Sequence, residues 1–149
     1  MGGALRLGCL EAIVGFHMAR AAVVTTKTFE SYIGTTLQLR KAEFSLLMLL
    51  RANGSLAPKP LARALAVSAP NLTLLLDRLQ DRDLVLRAPN PKDGRSQHVS
   101  LSAKGLQLAQ RAAQAAIPME TELMGRLTSA EHAMLIELLL KLGGSTGEC

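Results

Sequence analysis

The segment from Leu61 to Ser102 constrains the fold most, because it combines two short helical patterns with a predicted hairpin. Ser68 is a good N-cap residue, since its side-chain oxygen can accept a hydrogen bond from a free amide, and Pro70 suits the first turn that follows. Leucines then recur at i, i+3, i+4 and i+7, as Leu72, Leu75, Leu76 and Leu79. This spacing predicts a helix with one buried stripe and a mostly polar opposite face.

A shorter helical pattern over residues 60–65 precedes this helix, and only Ala66 and Val67 follow before its cap. Two short helices joined so tightly form a helix-turn-helix. The sequence therefore predicts that the second helix is held in a fixed orientation by the first.

A hairpin is predicted directly after the second helix. Residues 84–88 and 97–101 have the composition of short strands, and residues 89–95 between them contain Asp-Gly and two prolines, which are typical of a turn. Such a hairpin would carry Lys92 and Arg95 beyond the helix as a wing.

The positive charge of the chain is concentrated in the same segment. The chain carries 17 basic and 12 acidic residues, and eight of the basic residues but only four of the acidic ones lie between Lys59 and Lys104. Excess positive charge on one unit is the electrostatic footprint of a protein that binds phosphate along nucleic acid. A solvated basic surface without this function would spread its charge more evenly.

The chain resembles the MarR family of bacterial winged-helix transcriptional regulators over about a third of its length. The motifs that carry the resemblance are Leu61-Ala62, Asp77-Arg78-Leu79, Leu84-Val85, Pro91-Lys92-Asp93-Gly94-Arg95-Ser96 and Leu101-Ser102-Ala103-Lys104-Gly105. The resemblance implies a mainly α fold with a small β-hairpin wing (α+β). Asp83 stands where the family usually has glycine, and Arg40 stands near the threonine that usually caps the second helix. These two departures concern local turn geometry and not the fold.

One domain, residues 1–149, is predicted, because the apolar pattern has no gap and 48% of the residues are hydrophobic. We expect residues 41–102 to form the winged-helix part, with a third wing strand at residues 55–57. We expect residues 5–33 and 103–142 to form dimerisation helices.

The terminal helices have more apolar surface than a monomer of this size needs to bury. Their predicted stripes are Leu10, Ile13, Val14, His17, Ala21 and Val24 in the first helix, and Met134, Leu135, Leu138, Leu139 and Leu142 in the last. A capping box at residues 128–131 and a diglycine at residues 143–144 bound the last helix. Pro118 predicts a kink or break. Pairing of these helices in a homodimer is what the family resemblance implies.

The second helix and the wing supply the candidate residues for double-stranded DNA, preferably a pseudo-palindromic operator. They are Lys59, Ser68, Pro70, Asn71, Thr73, Leu74, Asp77, Arg78, Arg87, Lys92, Asp93, Arg95 and Ser96. Polar side chains on the outward face of the helix suit the major groove, and an arginine at the wing tip suits the narrow minor groove.

Several of these candidates have a second interpretation. Arg78 contacts guanine or phosphate, or pairs internally with an acid, and Asp77 accepts from cytosine or orients Arg78. Leu74 touches thymine methyl groups or packs against the wing. Asp93 is expected to hold the guanidinium of Arg95 in one orientation, because a carboxylate alone would repel phosphate.

The remaining cations are predicted to contact phosphate or simply to be solvated. This applies to Lys59, Arg87 and Lys92.

Two features suggest a signal that controls binding. His17 and Arg20 lie one turn apart, and with Phe44 and Met48 they could hold the anionic aromatic effectors that the resemblance implies, although these types are more often interface and core residues. Cys9 is a candidate redox sensor, because some relatives carry a cysteine in the first helix; its neighbour Glu11 does not favour a reactive thiolate.

Other function classes lack support in the sequence. The chain has no GxGxxG, P-loop, GxSxG or HExxH motif, and its three histidines have no ligand spacing, so we expect no enzyme, cofactor or metal. No targeting signal or membrane span is evident, which predicts a cytoplasmic protein. A winged helix that binds proteins is the alternative, but it has no need of the local positive charge. The sequence favours a homodimeric repressor released by an effector.

Overall fold

A computed structural model of the chain describes residues 5–144. Its helices are α1 (Val14–Phe29), α2 (Thr35–Leu37), α3 (Lys41–Asn53), α4 (Pro58–Leu65), α5 (Ala69–Asp81), α6 (Ala103–Met124) and α7 (Ser129–Gly143), and its strands are β1 (Ser55–Leu56), β2 (Val85–Asn90) and β3 (Asp93–Leu101). The mainly α fold with a small β-sheet, predicted from the sequence, is confirmed.

The helix predicted over residues 5–33 has different bounds. A 3₁₀ turn at Gly8–Ala12 comes first, Ile13 is extended, and α1 begins at Val14. Gly8 has a φ of +60°, which an α-helix does not contain and which glycine tolerates well. At its other end, α1 continues through a π-helical turn, Glu30–Gly34, into α2.

The winged-helix part forms as predicted. The Ser68 hydroxyl oxygen accepts the backbone N–H of Asn71 at 3.4 Å and caps α5. The four stripe leucines are 0–4% exposed: Leu72, Leu75, Leu76 and Leu79. They pack in one core with α3, α4, α6 and the sheet, in which β3 lies between β1 and β2 and pairs antiparallel with both. The third strand expected near residue 55 is present.

The junction between α5 and the wing explains the departure at Asp83. Asp83 has a φ of +57°, a left-handed conformation that favours glycine but that aspartate adopts more readily than most residues. The hydroxyl of Ser102 donates to the Asp83 carbonyl and so holds this turn against the start of α6. Close by, a Cβ at Gly105 would lie 1.9 Å from the Leu84 carbonyl oxygen, so only glycine fits there.

The other helix ends agree only in part with the sequence. The capping box of α7 is present, with Thr128 N–H donating to Glu131 at 2.8 Å and Glu131 N–H donating to Thr128 at 3.2 Å. These hydrogen bonds hold the pKa of Glu131 below its usual value. Of the kink or break predicted at Pro118, the break is wrong, because α6 runs through this residue to Met124, and the kink stays a prediction. Packing along a 22-residue helix outweighs one lost backbone hydrogen bond.

The terminal helices leave most of their apolar side chains uncovered. No residue of α7 is buried, and Leu138 is 53% and Leu142 61% exposed. On α1, Val14 is 57% and Val23 69% exposed. Soluble monomers rarely show such continuous apolar faces. Within residues 5–144, no helix has the length and apolar character that a membrane crossing requires.

Candidate nucleic-acid interface

The outward face of α5 presents a row of exposed side chains on a helix fixed by its buried leucines. Asn71, Thr73 and Leu74 all lie on this face, and Leu74 is 60% exposed. The Thr73 hydroxyl donates to the carbonyl of Ala69 at 3.1 Å, and Thr73 is exposed. These groups suit the donor and acceptor pattern of a major groove, and they remain candidates for base contacts.

Asp77 has a different partner from the one expected. Its Oδ1 lies 2.6 Å from Nη2 of Arg87 on β2, so it fixes Arg87 and does not orient Arg78. The Arg87 side chain is 21% exposed as a result. This ion pair ties the recognition helix, α5, to the first strand of the wing. Arg87 therefore positions the wing and has fewer free donors for phosphate than the sequence suggested.

Arg78 faces an internal acid, which was the alternative left open by the sequence. Its Nε lies 3.8 Å from Oε1 of Glu43, a side chain of α3 that is only 5% exposed, while the Arg78 side chain remains 44% exposed. Arg82 lies 3.8 Å from the other oxygen of the same carboxylate. No local pattern indicates this cluster, because Glu43 lies far from α5 along the chain.

The wing tip is held by its own side chains. Asp93 Oδ1 accepts the backbone N–H of Arg95 at 3.1 Å, and Asn90 Oδ1 accepts that of Lys92 at 3.0 Å. The Ser96 hydroxyl donates to the Asp93 carbonyl at 3.3 Å. The predicted Asp93 contact with the Arg95 guanidinium is therefore wrong: a short side chain reaches the amide two residues on more easily than a flexible head group. Arg95 is left exposed at the tip of the hairpin.

Three of the predicted residues meet beneath the recognition helix. Lys59, Thr73 and Arg87 line a cavity of about 520 Å³ between α4, α5 and the wing. Ser68 and Pro70 lie at the exposed start of α5. The structure thus places most of the predicted DNA-binding residues on α5 and at the wing tip, with Lys59 on α4 and Arg87 on β2.

The predicted effector residues are not brought together. His17 Nε2 donates to the Glu11 carbonyl at 2.9 Å, and the Arg20 guanidinium stacks over Phe16 at 5.6 Å. Phe44 and Met48 instead line a groove between α3 and α4 that contains neither cation. The spacing of His17 and Arg20, one turn apart on α1, could not predict this site, because it does not show which side of α1 faces α3.

A second cavity combines aromatic and cationic groups. It has a volume of about 570 Å³ and lies between α1, α3, α6 and α7, with Phe29 and Phe44 among its lining residues. Its polar lining includes Lys41, Arg126 and His132. The ring of His132 lies 3.1 Å from a carboxylate oxygen of Glu120, also in the lining. Lys41 comes from the start of α3, Arg126 from the α6–α7 connection and His132 from α7, and sequence reasoning did not link these segments.

The remaining candidates for a signal or cofactor site are Cys9 and clusters of metal-ligating side chains. Cys9 is exposed in the 3₁₀ turn before α1, so its role as a sensor stays a prediction. Among the described residues, no group of three or more histidine, cysteine, aspartate or glutamate side chains is placed to hold a metal ion.

Comparison with known proteins decides the family. Residues 39–97 match the model of the MarR family. The chain is 34% identical over 107 residues to the multiple antibiotic resistance protein MarR of Escherichia coli, an alignment that covers 71% of this chain and 74% of that protein. The chain belongs to the MarR family. Members of the MarR family are transcriptional regulators, so the enzyme class is excluded.

Solved structures of MarR-family proteins agree with the whole fold. The transcriptional repressor CouR bound to a 23-mer DNA duplex superposes with a TM-score of 0.86 at 30% identity, covering 95% of this chain and 99% of that one. A mutant MarR from E. coli complexed with operator DNA gives a TM-score of 0.82 at 28% identity, covering 93% and 99%. This chain is accordingly a winged-helix DNA-binding regulator of the MarR type.

Proposed function

We propose that this chain is a homodimeric repressor that binds a pseudo-palindromic operator and is released by a small anionic aromatic effector. The observation that carries the proposal is the arrangement of the winged-helix part. A helix fixed by buried leucines is followed directly by a hairpin whose tip carries an exposed arginine. The similar structures of CouR and MarR are complexes with DNA, which supports the same role for this side.

The homodimer is supported by the uncovered apolar faces of α1 and α7. Burial of apolar surface is worth about 25 cal/mol per Å², so helices this apolar gain substantially from a partner. A two-fold axis between two copies would present two recognition helices about 34 Å apart, one turn of B-DNA. The operator would then be a pseudo-palindrome with half-sites separated by one helical turn.

The effector is supported by the cavity between α1, α3, α6 and α7. Aromatic rings at Phe29 and Phe44 suit an aromatic ligand, and Lys41 and Arg126 outweigh the charge of Glu120 and suit a carboxylate. Because the cavity is bounded by both terminal helices and α3, an occupant would favour one angle between dimer and winged helix over another. The effector can release DNA only if it binds more tightly to the geometry that does not fit the operator than to the geometry that does.

Selection of duplexes from a random pool by the purified protein tests the DNA part of the proposal. We expect an enriched pseudo-palindrome with half-sites one turn apart, bound by two copies of the chain. A pool that stays unenriched even at low salt contradicts it and favours the protein-interaction module. Measuring DNA binding again after peroxide treatment, with Cys9→Ser as the control, tests the redox alternative. If peroxide releases DNA from the parent and not from Cys9→Ser, oxidation of Cys9 is the releasing signal and the aromatic effector is wrong.

A further inference from the structure

A buried carboxylate lies where the recognition helix meets the N-terminal helices. Glu43 is 4% exposed and is the one acidic residue that is buried within residues 5–144. Its Oε2 accepts the backbone N–H of Arg40 at 2.8 Å, at the start of α3. A charged carboxylate at this depth is costly unless cations compensate for the loss of water.

Two arginines of the recognition helix and its C-terminal end supply this compensation. Arg78 and Arg82 each approach Glu43 to 3.8 Å, too far for a hydrogen bond but close enough for strong attraction. Their side chains are 44% and 36% exposed, so each keeps N–H donors for another acceptor. The carboxylate thus restrains the two head groups without using up their donors.

Arg82 extends the cluster to the N-terminal helices. Its Nη1 donates at 2.8 Å to the carbonyl of Gln38, the residue that ends α2 in a left-handed conformation. Glu43, Arg82 and Gln38 therefore connect the C-terminal end of α5 to α2, which continues α1, one of the helices that we expect to form the dimer interface. A restraint at this end of α5 fixes the angle at which the helix meets DNA.

We propose that Glu43 is a positioning residue for operator recognition: its carboxylate aims Arg78 and, through Arg82, holds the recognition helix in register with the dimer helices. This inference rests on the proposed function and deepens it. Without the carboxylate, both guanidinium groups are free to turn to any phosphate within reach, which strengthens binding to all DNA and adds nothing to sequence preference.

A change in net charge alone must be separated from positioning. Asp81 lines the same groove as Glu43, Arg78 and Arg82, but it is exposed. Asp81→Asn and Glu43→Gln change the net charge equally, and only the second removes the buried carboxylate. Glutamine also keeps a side-chain oxygen for the Arg40 N–H.

The experiment measures the affinity of each full-length variant for two duplexes over a series of salt concentrations. One is the duplex that the parent protein selects from a random pool, and the other is a scrambled duplex of the same composition. For Glu43→Gln we expect the ratio of the two affinities to fall about tenfold, within the discrimination that one arginine–base contact provides. Its salt dependence on the scrambled duplex should steepen by about one phosphate.

For Asp81→Asn we expect both affinities to rise together, so that the ratio stays within about twofold. An unchanged ratio in Glu43→Gln overturns the proposal, as does an equal fall in both variants. If circular dichroism shows Glu43→Gln to be unfolded, Arg82→Gln takes its place. Arg111→Gln, at an exposed position of α6, is the control for one lost cation, and the ratio must fall only in Arg82→Gln. A parent that selects no duplex would refute the proposed function itself, whereas a selective parent with an equally selective Glu43→Gln refutes only the role of Glu43.

Discussion

The winged-helix part and the terminal helices use the same residue type in opposite ways. The four stripe leucines of α5 are buried within a single copy of the chain, whereas the leucines of α7 are 40–61% exposed. Residues of the same chain cover the first set, so the core of the winged helix forms within one chain. The second set is uncovered in a single chain, and exposed apolar patches of this extent are typical of interaction surfaces. In the proposed homodimer, the winged-helix part binds DNA and the terminal helices hold the two copies together.

The largest effect should follow from a charge on the exposed face of α7. Leu138→Glu places a carboxylate where we expect the dimer interface, so the dimer should dissociate and operator binding should be lost, as measured by sedimentation and fluorescence anisotropy. Leu86→Glu on β2 is the matched control for dissociation, because Leu86 lies outside both expected dimerisation segments and is 55% exposed, against 53% for Leu138. Equal behaviour of the two variants would break the contrast between the two halves.

A substitution inside the winged-helix core should lower the stability of the fold. Leu79 is fully buried. Leu79→Ala should lower the free energy of unfolding by about 2–5 kcal/mol through lost burial and a cavity. Denaturant unfolding at fixed protein concentration measures this, and Leu74→Ala on the exposed face is the control, with a much smaller expected change. A loss for Leu74→Ala as large as that for Leu79→Ala would contradict the assigned faces of α5.

Within the DNA-reading half, the wing and the helix should behave differently. Arg95→Ala should weaken binding to all duplexes and reduce the salt dependence by about one phosphate, because the wing tip supplies charge and little sequence information. Asn71→Ala should change the preference at one base pair, by about 1–3 kcal/mol. Competition with single-base variants of the selected duplex distinguishes these results. Parent-like binding by both variants at matched salt would refute the assignment.

The smallest effect concerns the cavity at the junction of the two halves. Salicylate, as a simple anionic aromatic probe, should raise the melting temperature of the parent. Arg126→Gln should reduce this stabilisation, because Arg126 lines the cavity, whereas Arg20→Ala should not, because Arg20 stacks on Phe16. A thermal-shift titration measures both. Stabilisation lost only in Arg20→Ala would move the ligand site to the outer face of α1.

The sequence predicted what depends on local patterns. The leucine spacing of α5, the Ser68 cap, the capping box at Thr128 and the wing turn are each encoded within a few residues, and all are present. The start of α1 was wrong because an apolar stripe does not reveal a left-handed Gly8. The helix break at Pro118 was wrong because tertiary packing outweighs a local propensity.

The contacts that span the chain could not be read from such patterns. Asp77 pairs with Arg87 rather than with its neighbour Arg78, and Arg78 faces Glu43 across the core. Long charged side chains have several possible partners at similar sequence spacing. The packing of α3, α5 and β2 determines which of these pairs form. The same holds for the cavity cations, which come from distant segments.

Sedimentation of the purified protein with its selected duplex tests the central claim most directly. The account predicts a dimer in the absence of DNA, two chains per duplex in the complex, and an affinity that falls steeply as salt rises. A monomer that stays indifferent to duplex DNA at low ionic strength would contradict it.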